Sequence, residues 1–379
     1  MLVQQNLYTA GKWEEISGPS SAPNPFTLAL VFGDINELKS PALFGHIRAL
    51  YPAADIVLAS TSGEVLGDRV FDNSVVVTGV SFGKTTIRSV QKNLNDYSSS
   101  FELGNDLFNA LNGPDLAGIF IVSDGQIVNG SELVDGLNRA NLNNVPITGG
   151  LAGDNAGFLS SVTGLNEIPT EGNVIGVGFY GNNFLMGHGL WAGWDEFGRE
   201  RTITRSEKNV LFEIDGQSAL ELYKEYLGEH AENLPGSALL FPLAISIENK
   251  TGKLVRTILS INEDQNSMTF AGNMPVGSKV RLMKANFDKL IEGIYGSTSQ
   301  LLDQLINKKP QLSILTSCVG RKLILKQRVS EEVEAACAEL GPDVAVTGFY
   351  SNGEISPISA GGFCELHNQT MTITSFCEF

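Results

Sequence analysis

The chain has 379 residues, 42% hydrophobic and 18% charged, so it is long enough for two globular domains with cores of their own. Its formal net charge of -16 argues against a nucleic-acid partner, because the sequence offers no basic face for a phosphate backbone. No apolar run reaches the roughly 18 residues of a membrane span, and no secretory signal pattern opens the sequence. We therefore expect a soluble, cytoplasmic protein that binds neither nucleic acid nor membrane.

The first part of the chain alternates strands and helices after a polar, proline-rich lead-in, residues 1–26, with weak core potential. The hydrophobic patterns predict strand 27–32, helix 41–51, strands 55–59, 73–78 and 86–90, helix 103–111, strand 118–122, helix 131–142, strand 145–148, and strands within 174–179, 185–190 and 201–214. Ser131 is the expected N-cap of the helix that follows it. Strand–helix–strand units in this order are typical of an α/β sheet with crossover helices.

The second part begins near Asp215 and Gly216, where the composition changes, and we place a domain boundary there. The patterns that follow predict helix 218–227, strands 238–245, 254–261 and 267–270, helix 288–305, strand 312–316, helix 331–340 and the strands of a C-terminal segment. The predicted fold class is α/β, with two domains, 27–215 and 216–379, whose mixed sheets are flanked by helices.

Two segments of the chain repeat the same order of elements. Residues 27–77 and residues 312–374 both run strand, helix, strand, turn and strand, and the turns read Ser-Gly-Glu-Val at 62–65 and Asn-Gly-Glu-Ile at 352–355. A chance similarity is the alternative, because Gly-Glu after a strand is common. If the repeat is real, it predicts related halves whose equivalent loops face one cleft.

The most informative sequence lies at residues 346–357 and 366–374, where an apolar strand opens into the loop Phe-Tyr-Ser-Asn-Gly-Glu. Together with the segments 59–65, 149–154, 187–194 and 201–216, these residues resemble the FIST family of sensory proteins. Residues 190–192 and Lys326 depart from the family pattern, which leaves the ligand open. The resemblance implies a FIST N-like domain at 27–215, a FIST C-like domain at 216–379, and an intracellular module that binds a small ligand and signals to a partner.

The resemblance also implies a more specific function, a haem-bound nitric oxide sensor that regulates a partner histidine kinase. An axial iron ligand is then needed, and four histidines are available: His46, His188, His230 and His367. We rank His188 first, because the glycines at 187 and 189 permit close approach of a flat ligand and two tryptophans follow. His367 ranks second, and the Cys318 thiolate is an alternative. A hydrogen-bonding role at a strand end is the competing interpretation of both histidines.

The competing function is a haem-free sensor of an amino acid or a similar polar metabolite. Strand-end loops are the place for such a ligand. The candidate ligand-binding residues are Asp124 and Asp154 for an amine, Gly149 and Gly150 for a carboxylate, and Tyr350 and Glu354 in the C-terminal loop. Asp34 belongs with the aspartates as a possible site for an amine or a cation, and turn or helix capping is the alternative for all three.

Two further expectations concern what the chain lacks. Neither a nucleophile elbow, a phosphate-binding loop nor a His-Glu-x-x-His motif occurs, so we name no catalytic residue and expect no enzyme. The four cysteines form no Cys-x-x-Cys pair, so we expect buried thiols rather than a zinc or redox site. A scaffold that binds partners without any ligand is the third functional class that the sequence leaves open.

Overall fold

The computed structural model describes residues 1–18, 25–248, 252–306 and 308–379. The helices in these ranges are α1 (Ile35–Leu38), α2 (Pro41–Leu50), α3 (Ser100–Leu111), α4 (Gly130–Ala140), α5 (Ala219–Leu227), α6 (Phe287–Gln304), α7 (Val319–Leu325) and α8 (Val329–Leu340). Short 3₁₀ helices cover Leu94–Asp96, Gly228–Asn233, Gly236–Leu240 and Lys326–Arg328. None of these helices has the length and apolar character needed to cross a membrane.

The strands of the first part are β1 (Leu2–Thr9), β2 (Lys12–Ser17), β3 (Leu28–Gly33), β4 (Asp55–Ser60), β5 (Glu64–Leu66), β6 (Arg69–Phe71), β7 (Ser74–Ser81), β8 (Thr86–Asn93), β9 (Leu116–Ser123), β10 (Ile147–Leu151), β11 (Thr163–Leu165), β12 (Asn173–Tyr180) and β13 (Phe184–Trp191). Those of the second part are β14 (Trp194–Glu207), β15 (Val210–Ile214), β16 (Gln217–Ser218), β17 (Leu243–Ser246), β18 (Leu254–Arg256), β19 (Ile258–Asn262), β20 (Ser267–Phe270), β21 (Lys279–Ala285), β22 (Leu312–Cys318), β23 (Ala345–Ser351), β24 (Gly353–Pro357), β25 (Cys364–His367) and β26 (Met371–Glu378).

The strands of the described residues form four sheets. Their orders are β11-β4-β3-β7-β1-β2, β25-β24-β10-β9-β12-β8, β13-β26-β22-β23-β5-β6, and β18-β17-β21-β14-β15-β20-β19 with β16 beside β15. The first three sheets mix parallel and antiparallel pairs, and helices connect their parallel strands. The predicted α/β class with mixed sheets flanked by helices is therefore confirmed.

The first three sheets are built by the same path of the chain. In each, the chain forms two parallel strands joined by a helical connection, then a turn or loop, an extension strand that pairs in a neighbouring sheet, and a return strand that runs antiparallel beside the first strand. We call these the first unit (β3, β4, β5, β7), the second unit (β9, β10, β11, β12) and the third unit (β22, β23, β24, β26). The sequence repeat predicts the first and third units, while the second was missed because a long loop replaces its Gly-Glu turn.

The three units exchange their extension strands in a closed ring. The strand β5 of the first unit pairs with β23 of the third, β24 of the third pairs with β10 of the second, and β11 of the second pairs with β4 of the first. Three backbone hydrogen bonds follow the same ring: Ser62 N to Tyr350 O at 2.8 Å, Asn352 N to Leu151 O at 3.0 Å, and Gly153 N to Ser60 O at 2.9 Å. The turns of all three units therefore meet around one centre.

An apolar core fills the space between these sheets. Phe32 of the first unit packs on Phe349 of the third, with ring centroids 4.6 Å apart, and Phe120 of the second belongs to the same buried cluster. Each unit thus buries its aromatic side chains against the other two. Removal of one such ring typically costs about 3–5 kcal/mol, so the three units stabilise one another.

The fourth sheet, with α5, spans residues 194–285, between the second and third units, and we call it the inserted domain. It has a core of its own, in which Leu211, Met268 and Phe270 are buried. The predicted strand 238–245 is instead a 3₁₀ helix followed by β17, because Pro242 between them has no amide hydrogen for a sheet. The predicted strand 254–261 is divided into β18 and β19 at Thr257.

The N-terminal residues contribute more to the fold than their composition indicates. The strand β1 lies between β7 and β2, and Leu7 on it is buried. Gln5 is also buried, and its Nε2 donates a hydrogen bond of 2.9 Å to Val346 O. Hydrophobic patterning missed this strand, because its polar side chains enter the interior through hydrogen bonds rather than by apolar burial.

Candidate functional site

A cavity of about 690 Å³ lies where the second and third units meet the inserted domain. The second unit contributes residues 125–130, Leu151 and Phe158 to its wall. The third unit contributes residues 318–320, Asn352, Leu366 and Asn368, and the inserted domain contributes Asn209, Pro235, Gly236, Leu239, residues 257–260 and residues 269–272. The volume is in the range of cavities that hold a small organic molecule.

The turn between β23 and β24 holds Asn352 in this wall. The side chain of Glu354, in the same turn, accepts hydrogen bonds from Ser351 Oγ at 2.7 Å and from Thr370 Oγ1 at 2.8 Å. The turn packs closely on the second unit, where a Cβ on Gly125 would lie 3.3 Å from Asn352 Cβ as well as 2.1 Å from Ala152 O. Glycine at 125 is therefore required for the close approach that brings Asn352 to the cavity.

Four buried polar atoms of the wall lack partners. Among the described residues, Asn352 Nδ2, Asn352 Oδ1, Asn368 Oδ1 and Thr257 Oγ1 have no hydrogen bond. Asn368 is 1% exposed and Thr257 is 4% exposed, so bulk water does not satisfy them. A buried polar group without a partner costs about 1–3 kcal/mol, and such groups call for a bound molecule to complete them.

Charge is absent from the described wall, which contains no Asp, Glu, Lys, Arg or His. Several charged side chains adjoin it in sequence, and other protein groups engage them; Lys208, for example, pairs with Glu132 at 3.0 Å. Asp124 accepts hydrogen bonds from the backbone N–H groups of residues 126, 127 and 172, and Arg256 Nη1 donates to the carbonyls of residues 255 and 366. Burial raises the pKa of Glu354 to about 8, so this carboxyl is mostly protonated at neutral pH.

The mouth of the cavity is apolar on both sides. Ile127 and Phe158 of the second unit are 51% and 39% exposed, and Leu259 of the inserted domain is 45% exposed. These exposed side chains stand on facing parts of the molecule that both contribute to the wall. A ligand with an apolar part, or a closer approach of the inserted domain, would remove them from water.

The predicted aspartates organise loops around the cavity. The Asp154 carboxylate accepts hydrogen bonds from the N–H groups of Phe158 at 2.7 Å, Leu159 at 2.7 Å and Ser160 at 3.1 Å. Asp124 holds the loop that continues into the wall at Gly125. Asp34 caps α1 and also accepts a hydrogen bond from Asn155. Each therefore has the capping role that the sequence analysis gives as the alternative, and no group of three or more metal-ligating side chains occurs in the described residues.

The predicted glycines lie inside a sheet. Gly149 and Gly150 belong to β10, which is flanked by β9 and β24. A Cβ on Gly149 would lie 1.9 Å from Ile121 O, and one on Gly150 would lie 2.6 Å from Thr316 Cγ2. Both glycines therefore serve the close packing of the second and third units, and the structure does not bring them together with the aspartates in one ligand site.

The predicted residues of the C-terminal loop lie just behind the cavity wall. Tyr350 is fully buried, its hydroxyl donates a hydrogen bond of 2.9 Å to Glu332 Oε1, and burial raises its pKa. Glu354 is likewise buried beneath the turn. They position Asn352, which lies between them in sequence, and do not themselves line the cavity.

The surroundings of His188 do not fit a haem. It lies on β13, and burial lowers its pKa to about 4. The backbone of α6 occupies the space beside the flanking glycines, since a Cβ on Gly189 would lie 2.7 Å from Ser297 O. Trp191 Nε1 donates to Lys289 O at 2.7 Å, and Trp194 Nε1 donates to Gln369 O at 2.9 Å. Helix α6 therefore occupies the space beside His188 in which the sequence predicts a flat ligand, and these residues do not fit a haem site.

The other candidate iron ligands are also engaged within the fold. His367 Nε2 is 2.9 Å from Ser356 O, the His46 ring stacks on Trp13 with centroids 4.6 Å apart, and the His230 ring lies 5.2 Å from Phe241. Cys318 does line the cavity, but burial raises its pKa and keeps it a thiol at neutral pH. The four cysteines are free thiols; Cys318, Cys364 and Cys377 are buried, as expected, whereas Cys337 is only partly buried.

Two structural details of the cavity wall were not predicted from the sequence. Asn129, not Ser131, caps α4, and Ser131 Oγ instead accepts a hydrogen bond of 3.1 Å from Asn273 N in the inserted domain. The polar wall residues Asn352, Asn368 and Thr257 were missed as a group. One signal was available for Asn352, because it differs from Ser62 at the equivalent position of the sequence repeat.

Comparison with known proteins gives two results. The FIST N domain matches residues 27–217, and the FIST C domain matches residues 219–357. An uncharacterized protein of Methanocaldococcus jannaschii is 26% identical over 235 residues, which cover 57% of this chain and 43% of that protein. The match thus spans less than half of that relative.

Proposed function

Because this chain belongs to the FIST family and carries its N and C domains in succession, we propose that it senses a small molecule in the cavity beside Asn352. FIST domains are associated with small-ligand sensing in signal transduction, and the family is sensory rather than catalytic. The ligand would bind in this one cavity. More specifically, we propose a haem-free sensor of a polar metabolite that signals to a partner such as a histidine kinase.

The unpartnered polar atoms of the wall carry this proposal. Four such atoms belong to Asn352, Asn368 and Thr257, three residues of the wall of one cavity of about 690 Å³. An unpaired buried group lowers stability, and a hydrogen bond from a ligand would remove that penalty. A ligand that supplies the missing bonds is bound by the native state alone and therefore stabilises it.

The position of the cavity also supports a way to transmit the signal. The inserted domain has its own core and contributes about half of the cavity wall, while the second and third units contribute the rest. A ligand in contact with both sides favours arrangements in which the two are close, and so shifts the population of domain arrangements that a partner meets. Burial of the exposed apolar side chains at the mouth would favour the same close arrangement of the inserted domain and the two units.

A cavity-blocking variant tests this function. Gly236 lies on the wall, and a Cβ there meets open space, so Gly236→Trp is expected to fill part of the cavity without displacing the backbone. Gly296 on α6 has the same open surroundings away from the wall, which makes Gly296→Trp the matched control. Each protein is incubated with a whole-cell metabolite extract and washed, and the retained small molecules are released and identified by mass spectrometry.

We expect the native protein and Gly296→Trp to retain the same compound, and Gly236→Trp to retain little of it. Equal retention by all three, or none by any, would overturn the proposed function. An absorbance spectrum of the same samples separates the haem version. A Soret band that responds to nitric oxide would establish haem, and its absence at full haem supply would exclude that version.

A further inference from the structure

The chemistry of the cavity wall restricts the ligand further than its volume does. The unpartnered groups are two carboxamides and one hydroxyl, which are neutral donors and acceptors. The described wall carries no ionisable side chain except the thiol of Cys318, whose pKa burial raises. The charged groups behind the wall are engaged by other protein groups, as Asp124 and Arg256 are by backbone amides and carbonyls.

A charged ligand would therefore lose its hydration without gaining a counter-charged side chain from the described wall, which offers a charge only the backbone amides at the starts of α4 and α7. An amino acid has both a carboxylate and an ammonium, and each is costly to bury without an ionic partner. Sites for such ligands supply a fixed charge or a cluster of free backbone amides, whereas the amides of Gly149 and Gly150 lie within a paired strand. The wall thus argues against the amino-acid version of the sensor.

We infer that the ligand is an uncharged molecule with an amide-type edge, in which an N–H donor lies beside a C=O acceptor, and with an apolar remainder. A primary amide, a lactam or a ring imide has this edge. This inference rests on the proposed function and restricts the ligand to one chemical class. Asn352 is the residue that reads the edge, and Asn368 and Thr257 complete the remaining hydrogen bonds.

The geometry of a carboxamide explains this selectivity. The side chain of Asn352 presents a donor and an acceptor in one plane, and an amide-type edge presents the complementary acceptor and donor. Neither polar atom of the Asn352 side chain has a hydrogen-bond partner among the described residues, so both remain available to a ligand. Leu151, Leu366 and Val319 on the same wall supply an apolar surface for the remainder of the ligand.

The test separates ligands by charge. Ion exchange at neutral pH divides a small-molecule extract into a neutral fraction, an anionic fraction, and a fraction of cations and zwitterions. Each fraction is then added separately to the native protein, Gly236→Trp, Asn352→Asp and Asn352→Leu. Thermal unfolding reports binding, because a ligand of the native state raises Tm. Asn352→Asp removes the donor and adds a negative charge, while Asn352→Leu keeps the volume and removes both polar atoms.

We expect the neutral fraction alone to raise Tm of the native protein. The same fraction should have little effect on Gly236→Trp, and the active compound should bind either Asn352 variant about 10- to 100-fold more weakly, as expected when a buried hydrogen-bonding group loses its partner. If a charged fraction raises Tm of the native protein but not of Gly236→Trp, the inference is wrong while the proposed function stands. If no fraction distinguishes the native protein from Gly236→Trp, both are wrong.

Discussion

Two turns of this molecule have nearly the same sequence and different surroundings. In the first unit, the turn from Thr61 to Glu64 places the carboxylate 2.5 Å from both Thr61 Oγ1 and Ser74 Oγ. In the third unit, the turn from Ser351 to Glu354 is built in the same way, with hydroxyls of residues 351 and 370 on its carboxylate. Both turns follow the second strand of their unit and lead into an exchanged extension strand.

The difference between the turns lies at their second residue. Ser62 is held by the protein, since its Oγ accepts a hydrogen bond of 3.3 Å from Ala156 N and its carbonyl accepts one of 2.7 Å from Lys322 Nζ. Asn352 at the equivalent position has no side-chain hydrogen bond among the described residues. The buried glutamate therefore builds the fold in both units, and the residue two positions earlier distinguishes the structural turn of the first unit from the turn to which we assign ligand binding.

The largest expected effect comes from removal of either glutamate. Glu64→Ala leaves the buried hydroxyls of Thr61 and Ser74 without an acceptor, and Glu354→Ala leaves Thr370 Oγ1 without one and Ser351 Oγ with only a 3.3 Å bond to residue 317. Each variant should therefore lower the free energy of unfolding by about 2–4 kcal/mol. Urea unfolding measures this change in the free energy of unfolding. Glu64→Gln and Glu354→Gln are the controls, because each retains an acceptor. A loss in one turn and none in the other would break the structural equivalence of the two turns.

The pH dependence of stability should be shared by both turns and extend higher for the third unit. Burial raises the pKa of Glu64 from 4.5 to about 7 and that of Glu354 from 4.5 to about 8. The folded protein then binds more protons than the unfolded chain above pH 4.5, so the stability they contribute is full below that pH and falls as the pH rises through about 7 and 8.

Urea midpoints measured from pH 5 to pH 9 test this dependence. Both carboxyls contribute to the fall up to about pH 7, and Glu354 alone contributes from there to about pH 8. Glu64→Gln should therefore make the fall below pH 7 shallower, whereas Glu354→Gln should do so up to about pH 8, with each contribution on the order of a few kcal/mol. Midpoints of the native protein that rise with pH over this range would contradict the assigned direction. Identical profiles for the two variants would show that the turns titrate together.

A smaller effect is expected from the ion pair that closes the first turn. Lys322 forms an ion pair with Asp72 and donates a hydrogen bond to Ser62 O. Both side chains of the ion pair are partly exposed to water. Lys322→Met should therefore cost about 1 kcal/mol in unfolding free energy and leave ligand retention unchanged. Loss of retention with normal stability would indicate that the first turn also takes part in binding.

The smallest effect on stability should come from Asn352→Ser, which makes the two turns alike. Because the Asn352 side chain donates and accepts no hydrogen bond in the described structure, its loss should not lower the unfolding free energy, and relief of its unpaired atoms should raise it by about 1 kcal/mol or less. Retention of the extracted compound should be lost. Ser62→Ala, which removes a side-chain hydrogen bond of 3.3 Å, should show the opposite pattern, with reduced stability and normal retention.

The regular parts of the fold followed from the sequence because their periodicity is local. The apolar runs that became β3, β9 and β22 were predicted within a few residues, and so were α3 and α8. The family resemblance was likewise readable from short motifs and is confirmed by both domain matches. The repeat of the turns at Glu64 and Glu354 was visible as well, because both carry the same residues at the same place after a strand.

The cavity wall could not be predicted, because it joins residues distant in the chain. Asn352 and Thr257 border one cavity across nearly a hundred residues, and no local pattern marks a polar side chain that lacks a partner. The strand β1 was missed for a related reason, since Gln5 is buried through a hydrogen bond to residue 346. Sequence patterning detects apolar burial well, but it does not reveal which polar groups the fold satisfies.

The side-chain amide of Asn352 offers the most direct test of its assigned role. Selective ¹⁵N labelling of asparagine side chains gives one pair of proton signals for each residue, and Asn352→Ser identifies the pair that belongs to Asn352. On addition of the neutral fraction of the extract, we predict that this pair shifts while other asparagine signals far from the cavity do not. Binding that raises Tm but leaves the Asn352 signals unchanged would contradict the account, because the ligand would then be recognised elsewhere.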